Sequence, residues 1–240
     1  MHLLSTKIPD PRLADECVRE QIALEFIPFI KTEAIVSYEL SKIISAAAME
    51  ELHIAFTSSN AVEAIGTYLQ GLQPEWKIYC TAPATQKTVE QLLPSASIHA
   101  TAANAKDLAQ QMIASGISKF LFFCGDQRRN ELPDMLKAEK ISVEEIVVYR
   151  TVATPVTLAK EYDAIAFYSP SAVASFFSVN KLPGHTVLFC IGKTTAAAIE
   201  KKIPNTVIVS EDPSQELMVH TIIEHFRNNP AGSKKARKLK

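Results

Sequence analysis

The chain has 240 residues, of which 47% are apolar and 21% charged, so disordered, collagen-like and disulfide-scaffold classes are excluded. At roughly 150 residues per domain, this length allows one large domain or two small ones. The formal net charge is -1, but residues 230–240 hold five basic side chains and no acid, which leaves the rest of the chain with 20 basic and 26 acidic groups, a net of -6. The charge therefore gives no reason to expect a nucleic acid or an anionic membrane as partner.

The cysteines and the N-terminal sequence indicate a cytoplasmic protein. Cys17, Cys80, Cys124 and Cys190 lie far apart and form no CxxC pair, as is usual for reduced thiols. The first residues, MHLLSTKIPDPRL, lack the apolar run of a signal peptide, and no stretch approaches the 18 apolar residues of a membrane span. We expect neither export nor a transmembrane segment.

Short apolar runs alternate with helical patterns along the chain, which is typical of α/β folds with parallel sheets. An opening strand and helix, LLSTK and DPRLADECVREQ, precede the rest. Two β-rich segments, 25–33 and 144–152, are expected to pair as a connecting ladder. The other predicted strands, each followed by a helical pattern, are 53–56, 76–80, 119–124, 164–168, 187–191 and 206–210.

An internal repeat divides the chain. IAFTSSNAVEAI at 54–65 matches IAFYSPSAVASF at 165–176, an offset of 111 residues, and the blocks that begin at Ile78 and Thr101 match later blocks at offsets of 110 and 109. The repeat predicts two similar α/β domains of about 110 residues each. Two arrangements fit it: tandem halves, or a discontinuous domain in which the opening strand and helix join the C-terminal half.

Ligands of open parallel sheets bind beyond the carboxyl ends of the strands, where loops lead into helix N-termini. All but one of these loops are rich in Ser, Thr or Asn, which cap helices, and helix N-termini also bind anions. Capping alone and anion binding both fit these residues. The candidate loops are TSSN (57–60), TAPAT (81–85), CGDQRR (124–129), YSPS (168–171) and IGKTT (191–195).

Motifs for cofactors and metals are missing from the sequence. IGKTT is not a phosphate-binding loop because Val187 stands where GxxxxGK[ST] requires glycine, and there is no GxGxxG or GxSxG. His220 and His225 lie five residues apart, which is not a metal-ligand spacing. We expect no metal and no cofactor. Tyr149, in VVYRT on the connecting segment, is either a packed sheet residue or a functional phenol.

Six segments carry a resemblance to the uroporphyrinogen-III synthase family and occur in that family's order. Together they cover most of residues 53–226. No single segment is diagnostic, but the combination is specific. The segments are FTSSNAVEA, FFCGDQRRNELPDML, VVYRT, AFYSPSAVASF, CIGKTTAAAIE and EDPSQELMVHTI.

The resemblance implies two similar flavodoxin-like α/β domains with parallel sheets, joined by a two-stranded β ladder, with the substrate in the cleft between them. It favours the discontinuous arrangement, with residues 1–30 plus 153–228 as one domain and 35–147 inserted. The connecting strands are then 31–34 and 148–152. Independently of the resemblance, the PAG sequence and the basic residues that follow it lead us to expect a basic disordered tail at 229–240.

The same resemblance implies the site residues. Tyr149 falls on the tyrosine proposed as an acid in this family. Two departures affect the expected contacts: Ala82 stands where the family often has glycine, and STKIPDP lacks the family's arginine-proline start of the first helix. The expected substrate-binding residues are Thr57, Ser58, Asn60, Ala82, Thr85, Gly125, Tyr168, Ser169, Pro170, Ser171, Gly192, Thr194 and Thr195.

The activity implied by the resemblance is that of a lyase of haem biosynthesis, which cyclises hydroxymethylbilane to uroporphyrinogen III with inversion of ring D and loss of water. No cofactor or metal is implied, and a monomer in transient contact with the preceding pathway enzyme is expected. The substrate has eight carboxylates whereas the body carries a net charge of -6, so recognition must be local, through helix N-termini with help from Arg128, Arg129 or Lys193.

Two alternatives stay open at this point. A non-enzymatic two-domain protein could bind a small anion, although export would suit it better. A nucleotide-dependent transferase is disfavoured because glycine-rich loops are missing.

Overall fold

The computed structural model describes residues 1–9, 11–211 and 215–228, so the basic tail expected at 229–240 lies outside the described residues. The chain divides into two compact units. The first comprises Met1–Lys31 and the described part of 153–240, and the second comprises Thr32–Val152. Within the described ranges, none of the helices is long and apolar enough to cross a membrane.

Strands and helices alternate along most of the chain. The strands are β1 His2–Ser5, β2 Ala23–Phe26, β3 Ile30–Ala34, β4 His53–Phe56, β5 Lys77–Thr81, β6 Ser97–Ala102, β7 Lys119–Gly125, β8 Ser142–Ala153, β9 Ala164–Phe167, β10 Val187–Cys190 and β11 Val207–Val209. The helices are α1 Pro11–Arg19, α2 Tyr38–Ala47, α3 Ser59–Leu69, α4 Ala84–Leu92, α5 Ala105–Ala114, α6 Glu131–Ala138, α7 Pro170–Phe177, α8 Lys193–Glu200 and α9 Gln215–Asn228.

The sheet of the first unit is parallel and has the order β11-β10-β9-β1-β2. Leu4 of β1 lies beside Ile165 of β9, which in turn lies beside Leu188 of β10. Counted along the chain within this unit, the spatial order is 2-1-3-4-5, that of flavodoxin-like folds. The carboxyl ends of β1 and β9 therefore flank the point at which the strand order reverses.

The sheet of the second unit has the order β3-β8-β7-β4-β5-β6. If β7 and β8 are counted as its first two strands, β8-β7-β4-β5-β6 repeats the 2-1-3-4-5 order of the first unit. β3 adds an edge beside β8, as expected of the connecting ladder, and the backbone N-H of Ile35 donates to the carbonyl of Val148 at 2.9 Å. The predicted fold class, two similar flavodoxin-like units with parallel sheets, is confirmed.

The core of each unit lies on both faces of its sheet. In β9, Ile165 and Phe167 pack into one buried cluster with α7 and α8, whereas Ala164 and Ala166 pack into another with α9. Because neighbouring side chains point to opposite faces, a strand covered on both sides is a continuous apolar run, which is why these strands are readable in the sequence.

The structure differs from the sequence prediction in three elements. The β-rich segment 25–33 is not one strand: it is split between β2 and β3 around Pro28, which has no N-H to donate to a ladder. α2 and β6 were not predicted. β6 is an edge strand of alternating exposure, so it lacks the apolar run by which the central strands are recognised.

Candidate functional site

The second unit contains a pocket of about 390 Å³ where four neighbouring strands end. Thr57 follows β4, Thr81 ends β5, Ala103 follows β6 and Gly125 ends β7. The N-termini of α3, α4 and α5 open onto the same pocket. Its lining residues are Thr57, Ser58, Thr81, Ala82, Pro83, Ala84, Thr85, Ala103, Asn104, Ala105, Phe122, Gly125, Arg128, Arg129, Leu132 and Tyr149.

A hydroxyl pair lies at one wall of this pocket. The phenol of Tyr149 donates a hydrogen bond of 3.2 Å to Ser58 Oγ. Ser58 is also the N-cap of α3, and its Oγ accepts from the backbone N-H of Asn60 at 3.3 Å. A serine hydroxyl has two lone pairs and one proton, so both acceptor positions are filled and the Ser58 O-H remains as a donor.

A β-bulge places Tyr149 at the pocket. Along β7 and β8, Cys124 lies beside Val147, but the next residue, Gly125, lies beside Tyr149, so one residue of β8 is skipped. The bulge changes which side chain faces the strand end, as bulges next to binding sites commonly do. Asp126 continues the pairing of the two strands beyond the bulge. Its N-H donates to the Tyr149 carbonyl at 3.1 Å, and its carboxylate accepts from the Thr151 N-H at 2.9 Å.

The two arginines of the pocket are in different electrostatic situations. Arg128 forms an ion pair with Glu145, whose side chain is only 17% exposed and also lies 3.3 Å from Lys137 Nζ. Arg129 is exposed and has no ion-pair or hydrogen-bond partner for its side chain in the described part of the chain. Arg128 is therefore neutralised within the protein, whereas the charge of Arg129 is available to a ligand.

The three helix starts at the pocket also differ. Asn104 caps α5, accepting from the Asp107 N-H at 2.9 Å, and Ser58 caps α3. In contrast, Pro83 precedes α4 and supplies no capping side chain. The first amides of α4 are therefore free of side-chain acceptors within this region, and the buried Thr85 next to them pairs its hydroxyl with Thr81 at 3.1 Å. Free amides and the helix dipole favour an anion there.

The remaining predicted residues lie at the strand ends of the first unit. Tyr168, Ser169, Pro170 and Ser171 follow β9, and Ser169 caps α7 by accepting from the Ala172 N-H at 3.1 Å. Gly192, Thr194 and Thr195 follow the neighbouring strand β10. Gly192 precedes α8 without a capping side chain, as Pro83 does before α4, the equivalent helix of the other repeat.

Sequence reasoning missed the loop after β1, although β1 lies beside β9. Thr6 is buried there and donates through Oγ1 to the Ala166 carbonyl at 2.9 Å, while Lys7 Nζ lies 6.0 Å from the centre of the Tyr168 ring. Burial raises the pKa of the Tyr168 phenol, and a hydrogen bond with Ser5 partly opposes that rise. Tyr168 is therefore a neutral hydrogen-bonding group at physiological pH.

The second-unit pocket brings together most of the residues predicted for that unit. Thr57, Ser58, Ala82, Thr85, Gly125 and Tyr149 all line it. Asn60 does not; its backbone serves the cap of α3 instead. Thr81 and Asn104 line the pocket but were not predicted. Asn104 follows β6, so the rule that loops at strand ends form the site would have found it had that strand been recognised.

Comparison with known proteins places this fold and sequence in one family. The family model described as Uroporphyrinogen-III synthase HemD matches residues 12–220. The crystal structure of a uroporphyrinogen-III synthetase from Helicobacter pylori is similar with a TM-score of 0.68 at 15% identity, over 93% of this chain and 99% of the other. A mutant uroporphyrinogen III synthase from the extremely thermophilic bacterium Thermus thermophilus has a TM-score of 0.62 at 16% identity, over 95% and 100% of the two chains. These structural likenesses concern the fold, while the family model matches the sequence over most of its length, and the chain belongs to the uroporphyrinogen-III synthase family, enzymes of haem biosynthesis.

Proposed function

We propose that this protein is a lyase that cyclises hydroxymethylbilane to uroporphyrinogen III, with inversion of ring D and loss of water. Family membership supports an enzyme over a non-enzymatic anion-binding protein. The observation that carries the assignment to a site is the Tyr149 phenol donating to Ser58 in a pocket that also holds an unpaired arginine and an uncapped helix start.

The pocket of the second unit binds carboxylates of the substrate. The N-terminus of α4 offers backbone amides with no side-chain acceptor within the described chain, and Arg129 adds a positive charge that no described acid neutralises. Charge-assisted hydrogen bonds of this kind are about twice as strong as neutral ones. Local binding of this kind explains how a body with an excess of acidic groups holds a polyanion.

Tyr149 and Ser58 supply the proton that the leaving hydroxyl needs. Ser58 donates its proton to the hydroxyl on ring A and receives one from the Tyr149 phenol, so water leaves and an azafulvene cation remains. Ring D attacks this cation through its substituted carbon, and the resulting spiro intermediate reopens and recloses with ring D inverted. The proton released as the final ring regains its aromatic form returns to the Tyr149 oxygen.

The enzyme competes with spontaneous closure of hydroxymethylbilane, which proceeds without inversion. A roughly 100-fold preference for the inverted product requires a difference of about 2.7 kcal/mol between the two barriers. Positioning of the reacting carbons supplies an energy of this size, because well-oriented intramolecular reactions gain about 7–11 kcal/mol. A phenol is a weak acid at neutral pH, so we assign the larger share of catalysis to positioning.

Loops of the first unit add contacts to the substrate. Ser171 and Thr194 present hydroxyl groups, and Gly192 leaves the start of α8 without a capping side chain. Tyr168 contributes a neutral phenol. We also propose that the enzyme acts as a monomer and meets the preceding pathway enzyme only transiently.

The reaction is tested by isomer analysis. The protein is incubated with freshly generated hydroxymethylbilane, the products are oxidised, and uroporphyrins I and III are separated by chromatography. We expect uroporphyrin III to dominate with the native protein and uroporphyrin I with heat-denatured protein. If the native protein gives only uroporphyrin I, it is not a uroporphyrinogen-III synthase.

A further inference from the structure

Gly125 lies against the ring of Tyr149. A Cβ atom built on Gly125 would lie 2.4 Å from Cζ, 2.6 Å from Cε2 and 2.7 Å from the phenol oxygen of Tyr149. Real Cβ atoms essentially never approach another heavy atom within 3.0 Å. The φ angle of Gly125 is outside the left-handed range, so alanine is compatible with the backbone, and the three atoms nearest to its Cβ all belong to the Tyr149 side chain.

The backbones of these two residues are fixed to each other. The bulged ladder pairs Gly125 directly with Tyr149, and Asp126 donates its N-H to the Tyr149 carbonyl at 3.1 Å. Gly125 is buried, so a methyl group added there would be surrounded by protein atoms and not by solvent. Since the ladder holds the two backbones together and the nearest atoms are the far end of the Tyr149 side chain, we expect a side chain at 125 to displace the phenol from its 3.2 Å bond to Ser58.

We propose that Gly125 is a positioning residue, which keeps the Tyr149 phenol in place by lacking a side chain, rather than a residue that contacts substrate. The sequence prediction made it a substrate-binding residue, so the two roles are distinguishable. The kinetic part of this proposal rests on the proposed function, because it needs Tyr149 to act in catalysis; the packing part does not.

The packing part is tested by thermal unfolding of the full chain. Gly125→Ala is expected to lower the melting temperature by about 2–12 °C, the range for overpacking a buried site in a protein of this size. In a Tyr149→Ala background, the ring is gone and the same Gly125→Ala change should cost nothing. Gly66→Ala is the matched control, since its Cβ makes only an ordinary 3.6 Å contact with Leu92 and the site is helical.

The kinetic part is tested with Gly125→Ala, Tyr149→Phe and the double variant in the isomer assay. Gly125→Ala is expected to lower kcat by as much as Tyr149→Phe, about tenfold, and the double variant should be no slower than Tyr149→Phe alone. If Gly125 instead contacts substrate, the two losses multiply to about 100-fold in the double variant, and the proposal is wrong. An equal melting-temperature loss in the presence and absence of the Tyr149 ring overturns it independently of any activity.

Discussion

At the scale of single residues, the hydrogen bond between Tyr149 and Ser58 connects the fold to the proposed chemistry. Its donor lies on the last long strand of the second unit and its acceptor at the start of α3. The residues are 91 positions apart in the chain, so only the folded unit brings them together.

Removal of the Tyr149 hydroxyl should slow the reaction without abolishing it. We expect Tyr149→Phe to lower kcat about tenfold, the equivalent of one lost hydrogen bond of about 1.4 kcal/mol. Tyr68→Phe is the matched control, because Tyr68 also donates its hydroxyl, to the Ile35 carbonyl, but does not line the pocket. Initial rates of uroporphyrinogen III formation check both variants; an unchanged kcat in Tyr149→Phe removes the phenol from the mechanism.

Substitutions of the two pocket arginines, Arg129 and Arg128, should have different effects, one on substrate binding and the other on stability. Arg129→Gln should raise the KM for hydroxymethylbilane about fivefold with no change in melting temperature, because a charge-assisted bond to the substrate is lost and no bond within the protein is. Arg128→Gln should lower the melting temperature, because Glu145 is largely buried and loses one of its two ion-pair partners, with Lys137 remaining. Steady-state kinetics and thermal unfolding separate the two effects, and a normal KM in Arg129→Gln contradicts a ligand role for this side chain.

The position of most candidate site residues at strand ends could be predicted because each follows a strand with a clear apolar run. Ser58 follows β4 and Ser169 follows β9, whose residues are fully buried or nearly so. The hydrogen-bond partners of each side chain could not be predicted. Both serines cap helices, so the interpretation as caps is correct for both, but Ser58 also accepts from Tyr149. A bond between residues so far apart depends on register, which composition does not encode.

At the scale of elements, the helix N-termini differ in whether a side chain accepts a hydrogen bond from their first backbone amides. Two of the helices at the second-unit pocket are capped by side chains and one, α4, is not. The equivalent helix of the first unit, α8, is also without a capping side chain. The repeat thus preserves a pattern in which one helix start is capped by serine and the next has no capping side chain.

Two caps allow stability to be separated from binding. Asn104→Ala and Ser37→Ala each remove an N-cap, of α5 and α2, and each should destabilise the protein by about 1 kcal/mol, or about 2–4 °C in melting temperature. Asn104 lines the pocket and Ser37 does not. We therefore expect a raised KM only in Asn104→Ala, measured by initial rates at about 25 °C; equal KM values would mean that Asn104 only caps.

The element order was readable in the sequence, and the register was not. The alternation of apolar runs with helical patterns predicts the strands. The repeat predicts which strands of the two copies correspond; β4 and β9, for example, begin 111 residues apart. The bulge between β7 and β8 leaves no trace in the apolar pattern, because it depends on which backbone groups pair. The position of Tyr149 at the pocket follows from that bulge.

At the scale of the whole molecule, His53 contributes to the dependence of stability on pH. Burial, together with the charges of Lys77 and His99, lowers the pKa of His53, while Glu51 acts weakly in the other direction. His53 Nδ1 is buried and has no hydrogen-bond partner among the described residues. The unfolded chain, with a histidine pKa of about 6.5, therefore takes up this proton more readily than the folded protein does.

Stability from His53 is fully present above a pH of about 6.5 and is lost as the pH falls below that value. We expect the melting temperature of His53→Gln to fall less between about pH 7.5 and about pH 5.5 than that of the wild type. His185→Gln, at an exposed histidine, is the control and should keep the wild-type slope. His225, whose pKa is also lowered by burial, adds a decline of the same sign that both variants retain. Parallel curves for wild type and His53→Gln would exclude this role.

The strand order also determines when each unit can fold during synthesis of the chain. In chain order, β1 to β6 form one copy of the repeat and β7 to β11 the other. Apart from the added edge strand β3, each sheet takes the first two strands of one copy and the last three of the other. A chain emerging from the ribosome can complete 32–152 first, while 1–31 must wait for strands that are made last. Fragments produced by a cut between Ser115 and Ser118 should each be unfolded by circular dichroism and should regain structure only when mixed. Each half of this chain therefore holds strands that the other half needs to complete its sheet.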